Sequence, residues 1–358
     1  MTQVFSIGTY LPPWTVRDHP VKGPDEDALT MAVAAGRAAD PNATAQRVVL
    51  VSRDFPLLEG GNGAVLLAAL SLPADVPVTE ALGGAPAVLD QIASATTGTL
   101  IIAADDNETA TGAAAVLTGD AGPTLTPLTR QTRSLPLTAR GEDGTRHAYV
   151  DPRLQREVGV RSTLARLNLT GTPAVAAAAG VQLAQLGGEF DTTGAHSHPA
   201  TSAAAIIRLL ADAIEAGDQG LMIAVEQATI SVAELALEGA TARITRDEFP
   251  PRLRVNNAGQ LATEYRLEPL PRTGTVYTHT TVRIPVPDLP SPYSIAVVQL
   301  DGSPVRVLLK VTGVPAGEAT IGQSGAVVLR KVATRAGIPD YGYAFWPGRT
   351  QVAEGALT

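Results

Sequence analysis

Val48-Val49-Leu50-Val51-Ser52 is a continuous apolar run of strand length, the pattern of a strand buried on both faces. Thr99-Leu100-Ile101-Ile102-Ala103 repeats it and ends in Ala104-Asp105-Asp106. Helical patterns surround these two strands. Leu29, Val33 and Ala34 recur at helical spacing after Pro24-Asp25-Glu26-Asp27, whose carboxylates suit a first helical turn. Ala64–Leu70 and Ala85–Ala95 read as two more helices. Val4–Ile7, ending at Gly8, is a short strand, and Thr111–Thr118 is another whose small residues allow close packing. Strands alternating with helices predict a layered α/β fold.

A polar, turn-rich stretch from about residue 134 to 160, with Gly141-Glu142-Asp143-Gly144, separates this pass from a second one. There Pro173–Ala179 and Ala203–Ala216 are predicted helical, with Gly217 capping the latter, and Gly220–Val225 is the strand that follows. Val232–Leu237 and Ala242–Ile244 read as a further strand pair. Beyond residue 245 prolines cluster at 250, 251, 269, 271, 285, 287, 290 and 292, and helical periodicity stops. Runs rich in β-branched residues replace it: Gly274–Val282, Ser294–Leu300, Val305–Val311 and Ala326–Val332, with Asp301-Gly302 as a hairpin turn. That density of short strands predicts a small β-barrel such as an OB-fold. The expected division is 1–244 for the α/β part, 245–272 for a linker carrying Arg254-Val255-Asn256-Asn257-Ala258-Gly259, and 273–350 for the barrel.

Composition narrows the function. With 358 residues, 45% hydrophobic and 17% charged, the chain has a sizeable core and room for two domains. A net charge of -8 argues against a nucleic-acid backbone as partner. No apolar run approaches the roughly 20 residues that cross a bilayer. Met1-Thr2-Gln3-Val4 lacks the basic and apolar regions of a signal peptide, so a soluble cytoplasmic protein is expected. There is no cysteine, which excludes disulfides, thiolate zinc sites and a cysteine nucleophile together.

Gly8-Thr9-Tyr10-Leu11-Pro12, Gly23-Pro24-Asp25-Glu26-Asp27-Ala28-Leu29-Thr30-Met31-Ala32-Val33 and Leu100–Asp105 before Gly112-Ala113-Ala114-Ala115 resemble the thiolase superfamily. So does the late unit Leu210–Val225, and the branch they are most similar to is that of hydroxymethylglutaryl-CoA synthase. Gly274-Thr275-Val276-Tyr277-Thr278, Pro292–Leu300 and Ile321-Gly322 resemble the acyl-CoA-associated OB-fold domain that accompanies such enzymes. The resemblance implies an αβαβα layered fold, a coenzyme A thioester as ligand and no other cofactor. It also implies assembly as a homo- or hetero-oligomer, with a cysteine-bearing ketosynthase- or thiolase-type chain as partner.

The departures from that family are chemical. A helix N-terminus there presents a cysteine whose thiolate takes the acyl group. By spacing from Gly84-Ala85 the position falls at about Ala81, inside Thr79-Glu80-Ala81-Leu82-Gly83-Gly84-Ala85-Pro86. The expected histidine is missing from Ala165–Thr172, a Gly-Asn-Thr turn is replaced by Gly194-Ala195-His196, and a glycine-rich turn after Val225 by Glu226-Gln227-Ala228-Thr229. The four-cysteine zinc ribbon is absent too. The reading is therefore a non-catalytic or reduced subunit, with two alternatives. One is a cysteine-independent aldolase or lyase on an acyl-CoA; the other is an acyl-CoA binding or delivery module.

For residual chemistry His196 and His198, in Thr192-Thr193-Gly194-Ala195-His196-Ser197-His198-Pro199, are candidate bases or metal ligands, against the plain reading of a polar loop. Glu226 is a candidate hydrogen-bonding or acid–base group, or a mere filler of the lost turn. Ala81, Gly83, Gly84 and Gly194 are candidates to line the substrate, with backbone amides near Gly83-Gly84 as oxyanion donors. Tyr277, two from His279 on one predicted strand face, is a candidate ligand contact, against ordinary barrel surface. Glu80 is a catalytic carboxylate if buried, or a first-turn helix carboxylate. Asp105-Asp106-Asn107-Glu108 is a cation site or a solvated turn. Tyr341–Pro347 concentrates four of the fourteen aromatics and is expected to pack a terminal strand.

Overall fold

The computed structural model describes residues 1–349 apart from 17–18, 59, 108–109, 134, 136–137, 143–144, 150, 168, 180, 183–191, 200–201, 247–251, 255–268, 285–288 and 336. The first pass supplies β1 (Thr2–Tyr10), β2 (Arg47–Ser52), β3 (Val78–Leu82), β4 (Thr99–Asn107) and β5 (Ala110–Gly119), with α1 (Ala28–Ala39), α2 (Asn62–Leu70) and α3 (Ala85–Ala93). β6 (Thr124–Thr132) leads to the second pass. This comprises β7 (Pro173–Ala179), β8 (His196–Pro199), α4 (Ala205–Ala216), β9 (Gly220–Glu226), β10 (Thr229–Ala236) and β11 (Arg243–Thr245). Hydrogen bonds join these strands in the order β8-β7-β9-β10-β6-β1-β5-β4-β2-β3, with β11 parallel to β1.

Strand alternation converts this sheet into layers. Val48, Leu50, Leu100 and Ile102 pack on α1 and α2 through Leu29, Met31, Leu66 and Leu70. Their neighbours Val49, Val51 and Ile101 face the other way, onto a core that also holds Val88, Leu89 and Ile92 of α3 and Ile206 and Leu210 of α4. Val175, Met222, Ala224 and Leu235 of the second pass close that core from the opposite side. Beyond them, Ile223, Val225, Ile230 and Val232 pack on Val160 and Leu164 of a helical stretch over 152–164. The resulting order is helix, sheet, helix, sheet, helix.

Local chemistry sets the element ends. Asp27 caps α1 by accepting the Thr30 amide (2.9 Å), while Thr30 Oγ1 accepts the Asp27 amide (2.9 Å). Gly8 lets α1 lie directly on β1, since a Cβ there would stand 2.4 Å from the Ala35 oxygen. The helices predicted at Ala64–Leu70 and Ala85–Ala95 form as Asn62–Leu70 and Ala85–Ala93. Pro173–Ala179, predicted helical, is strand β7. Alanine favours helix intrinsically, but all seven residues are buried between β8 and β9, and a short apolar run lacks the periodicity that separates the two states. Thr79–Leu82 also belongs to a strand, so Ala81 is not at a helix start; that start falls at Gly84-Ala85.

The C-terminal barrel is β12 (Thr273–Val282), β13 (Tyr293–Leu300), β14 (Arg306–Val311), β15 (Ser324–Arg335) and β16 (Ile338–Pro347), closed as β12-β13-β14-β16-β15. Its interior holds Val276, Ala296, Val298, Leu300, Val327 and Phe345. Within the stretch expected as linker, 252–254 pairs with 269–271; Val255–Gly259 lies outside the described residues, as does the Asp143-Gly144 turn.

The aromatic run 341–347 forms β16 and fastens the barrel to the α/β half. Trp346 joins the α1 cluster, Tyr341 Oη donates to Asp27 Oδ2 (2.6 Å), and the Lys331 amide donates to the Asp25 carbonyl (2.7 Å). At its centre Arg330 is 1% exposed. Its Nη2 lies 3.2 Å from Glu26 Oε1 and 3.0 Å from Tyr10 Oη, its Nη1 donates to the Leu329 carbonyl and its Nε to Thr312 Oγ1. Tyr10 in turn donates to Glu26 Oε1, and Glu26 Oε2 accepts the Gly23 amide (2.8 Å). Burial raises the Tyr10 hydroxyl far above its usual range, and raises Asp27 despite its bonds to Tyr341 and Thr30.

Candidate functional site

The carboxyl ends of parallel strands are where open α/β sheets place their ligands. Here β2, β4 and β9 end in polar residues that meet. Arg53, immediately after β2, places Nε 2.7 Å from Glu226 Oε1 and Nη1 2.5 Å from Asp105 Oδ2. The Arg53 amide donates to Asp105 Oδ1 (2.9 Å), and the Ala203 amide, just ahead of α4, donates to Asp105 Oδ2 (2.6 Å). The Asp105 side chain is 1% exposed, Arg53 11% and Glu226 20%. Burial raises the Asp105 carboxyl above its usual value, against the pull of Arg53 and the two amides. Burial also disfavours the Arg53 cation, but Glu226 and Asp105 outweigh that and raise it.

This ion-pair group faces the start of α3. A Cβ on Gly84 would lie 1.6 Å from Glu226 Oε2 and 2.7 Å from Arg53 Nη2. The volume that a side chain at position 84 needs is thus held by the carboxylate and guanidinium. Glu226 Oε2 is buried and has no hydrogen-bond partner among the described residues. The Gly83 amide donates to the Ser52 carbonyl (2.9 Å) and is not free to serve as an oxyanion donor. What this arrangement offers is a fixed carboxylate–guanidinium pair at a helix N-terminus.

Other candidates lie elsewhere. His196 is opposite Val175 on β7, and Val175 is opposite Met222 on β9. It therefore stands about 13 Å along the sheet and about 10 Å across it from Glu226, at strand spacings of ~3.3 and ~4.8 Å. Its Nε2 is 2.7 Å from Asp218 Oδ2, a residue that precedes β9. The His198 backbone pairs opposite Ala177, and its side chain is outside the described part. Gly194 is exposed at φ +88° in the turn before β8. Ala81 is a half-buried residue of β3, opposite Val51.

Glu80 has neither role expected of it. From β3 it accepts the Gly60 (2.7 Å), Asn62 (3.1 Å) and Gly63 (2.9 Å) amides, and so caps α2. Of the acidic run at the end of β4, Asp105 is paired as above, Asp106 binds Lys22 (2.8 Å), and Glu108 is outside the described residues. Among the described residues no group of three or more acidic residues and histidines is placed to hold a metal ion. Tyr277 and His279 do not share a face, because a bulge between Val276 and Thr278 shifts the register. Tyr277 is left 52% exposed, while His279 pairs opposite the buried Ala296.

Arg53 was not singled out by sequence reasoning. Its signal was positional: it directly follows the buried strand Val48–Ser52, as Asp105 ends Thr99–Ala104, and neighbouring parallel strands bring such ends together. No helix among the described residues is long and apolar enough to cross a membrane.

Residues 267–330 match the family model described as ChsH2, C-terminal OB-fold domain. No curated protein matches the sequence. Among solved structures the chain is similar to OleA from Xanthomonas campestris, crystallised with bound lauric acid and lauroyl-CoA, at 12% identity and TM-score 0.54. That match covers 66% of this chain and 98% of the other. Similar coverage, 66% and 98%, is found with 3-oxoacyl-(acyl carrier protein) synthase III, FabH, from Pseudomonas aeruginosa, at 14% identity and TM-score 0.51. A chain of the Ltp2–ChsH2(DUF35) aldolase aligns over 23% of this chain and 61% of its own length, at 20% identity and TM-score 0.20. The chain joins a thiolase-like fold of the ketosynthase type to a C-terminal OB-fold domain of the ChsH2 type.

Proposed function

We propose that this chain is a non-catalytic thiolase-like subunit that assembles with a cysteine-bearing ketosynthase- or thiolase-type chain in an acyl-CoA-handling complex. The observation that carries the reading is the occupied start of α3. Glu226 Oε2 stands only 1.6 Å from where a Cβ on residue 84 would be, so any side chain there would have to displace the carboxylate. An acyl-enzyme needs a side chain that can form and break a thioester or ester bond, and alanine and glycine have none. The barrel, fused and bolted through Arg330 to the start of α1, would present the thioester to the partner's site.

Partner binding has a structural basis in β3. Among the described residues it ends the sheet and pairs only with β2, and it carries the exposed Leu82 (50%). An edge strand with apolar flanks is a template for pairing with another chain. The test is co-expression with cysteine-bearing thiolase-type chains, followed by size measurement and incubation with radiolabelled acyl-CoA. The expected result is a complex in which only the partner becomes acylated, disrupted by Leu82→Lys. A chain that remains alone with every candidate, or that is itself acylated, refutes the proposal.

The free Oε2 of Glu226 favours one second reading: a base for cysteine-independent aldol or retro-aldol chemistry on an acyl-CoA. His196, bound to Asp218 and remote from Glu226, is not placed to assist it. Turnover of acyl-CoA by the purified chain, abolished in Glu226→Gln, would establish this alternative over the first.

A further inference from the structure

The barrel meets the α/β half through β15 and β16, and among the described residues the outer face of β12, β13 and β14 is not covered by that half. The register builds that face in rows. Thr280, Ile295 and Lys310 lie side by side, then Thr278, Val297 and Leu308, then Gln299 and Arg306. The centre is aliphatic, with Leu308 66% exposed, and none of these eight positions carries a carboxylate although the chain's net charge is -8.

The two cations are held in place. The Arg306 guanidinium carbon stands 3.6 Å from the Tyr277 ring centroid, and its Nε donates to Gln299 Oε1 (2.8 Å). That leaves its two terminal NH2 groups as an oriented fork, the geometry that takes a carboxylate in bidentate fashion. Lys310 Nζ lies 5.7 Å from the Tyr293 ring centroid. Cations fixed against rings lose little freedom on binding. Arg306 already covers one face of the Tyr277 ring, so that face is not available to stack a base.

We infer that this face docks an acidic helix of a second polypeptide: two carboxylates engage Arg306 and Lys310, and an apolar residue between them covers Leu308 and Val297. The spacing constrains the helix. Arg306 and Lys310 are four residues apart on a strand, about 13 Å, which corresponds to roughly seven to nine residues of helix at 1.5 Å each. The carboxylates therefore stand at i and i+7 or i+8, with apolar residues at i+3 and i+4. The inference does not depend on whether the α/β half retains chemistry.

The test uses the full chain and a labelled 18-residue helical peptide with glutamates at i and i+7 and leucines at i+3 and i+4, followed by fluorescence anisotropy. Arg306→Glu and Leu308→Glu alter exposed side chains, and unchanged thermal melts would confirm that both fold. Saturable binding is expected, weakened at least tenfold by either variant, weakened by added salt, and absent for a peptide with lysine in place of glutamate. Equal binding by both variants overturns the inference. So does an Arg306-dependent interaction with a single-stranded oligonucleotide but not the peptide, or a dimer of this chain that Leu308→Glu dissociates while no peptide binds.

Discussion

Replacing Gly84 with alanine tests whether Glu226 truly fills the place of a side chain at the start of α3. The backbone there, φ -109° and ψ -152°, is open to any L-residue, so the substitution has no conformational penalty of its own. Loss of a good N-cap and gain from a stiffer unfolded chain are each below about 1 kcal/mol and opposed. What remains is the clash. To move from 1.6 Å to an ordinary contact of 3.4 Å or more, the Glu226 carboxylate must retreat by about 2 Å, which breaks its 2.7 Å bond to Arg53. A fully buried pair that loses one partner costs ~3–5 kcal/mol and an exposed one ~0–1. Arg53 keeps Asp105 and Glu226 is a flexible, one-fifth exposed side chain, so the expected loss is at most about 2 kcal/mol. In a Glu226→Ala background the carboxylate is gone and only the mobile end of Arg53, 2.7 Å from the added Cβ, has to shift, so Gly84→Ala should cost less there than in wild type, by about 1 kcal/mol or more. Urea unfolding of the four proteins, followed by circular dichroism, gives the coupling directly. Equal penalties in the two backgrounds would show that Glu226 does not occupy this space, and the argument for a closed nucleophile position would fall with it.

Three further outcomes follow from the geometry. Arg330→Met leaves Glu26 buried without its cation and should cost about 3–5 kcal/mol, most of it recovered in Arg330→Met/Glu26→Gln; no recovery would mean that packing, not charge, dominates the junction. Glu80→Ala removes the acceptor for three amides at the start of α2 and should lower stability by about 1–2 kcal/mol, with faster hydrogen exchange at Asn62 and Gly63; unaltered exchange there would contradict its capping role. Burial raises the folded-state pKa of Asp27 above its usual 3.8, so as pH falls the native state takes up a proton before the unfolded chain does. The residue's unfavourable contribution is present at neutral pH and lost as pH falls through that raised value. Relative to Asp27→Asn, wild type should therefore gain stability as pH falls from 7 toward its usual carboxylate value of 3.8, and a relative loss in urea titrations at the two ends of that range would reverse the sign.

Sequence alone carried the architecture because period and composition are local. Val48–Ser52 and Thr99–Ala103 read as buried strands, Asp301-Gly302 as a hairpin, and the absence of cysteine as the absence of thiolate chemistry, all without long-range information. Pro173–Ala179 was misread because seven small apolar residues have no period, and only burial between two neighbouring strands makes them a strand. Tyr277 and His279 were misplaced onto one face because a bulge is a pairing event, not a property of one strand. The site itself was decided by tertiary structure. Glu226 meets Arg53 across 173 positions, Arg330 meets Tyr10 across 320, and Glu80 reaches back to cap another element's helix. Such contacts depend on which strand ends become neighbours in the sheet, and that order emerges only when the passes stack around α3 and α4. What the sequence determined was that no cysteine is available; what the fold decided was that a carboxylate and a guanidinium meet at the start of α3, because only the stacked strands bring Glu226, Arg53 and Gly84 together.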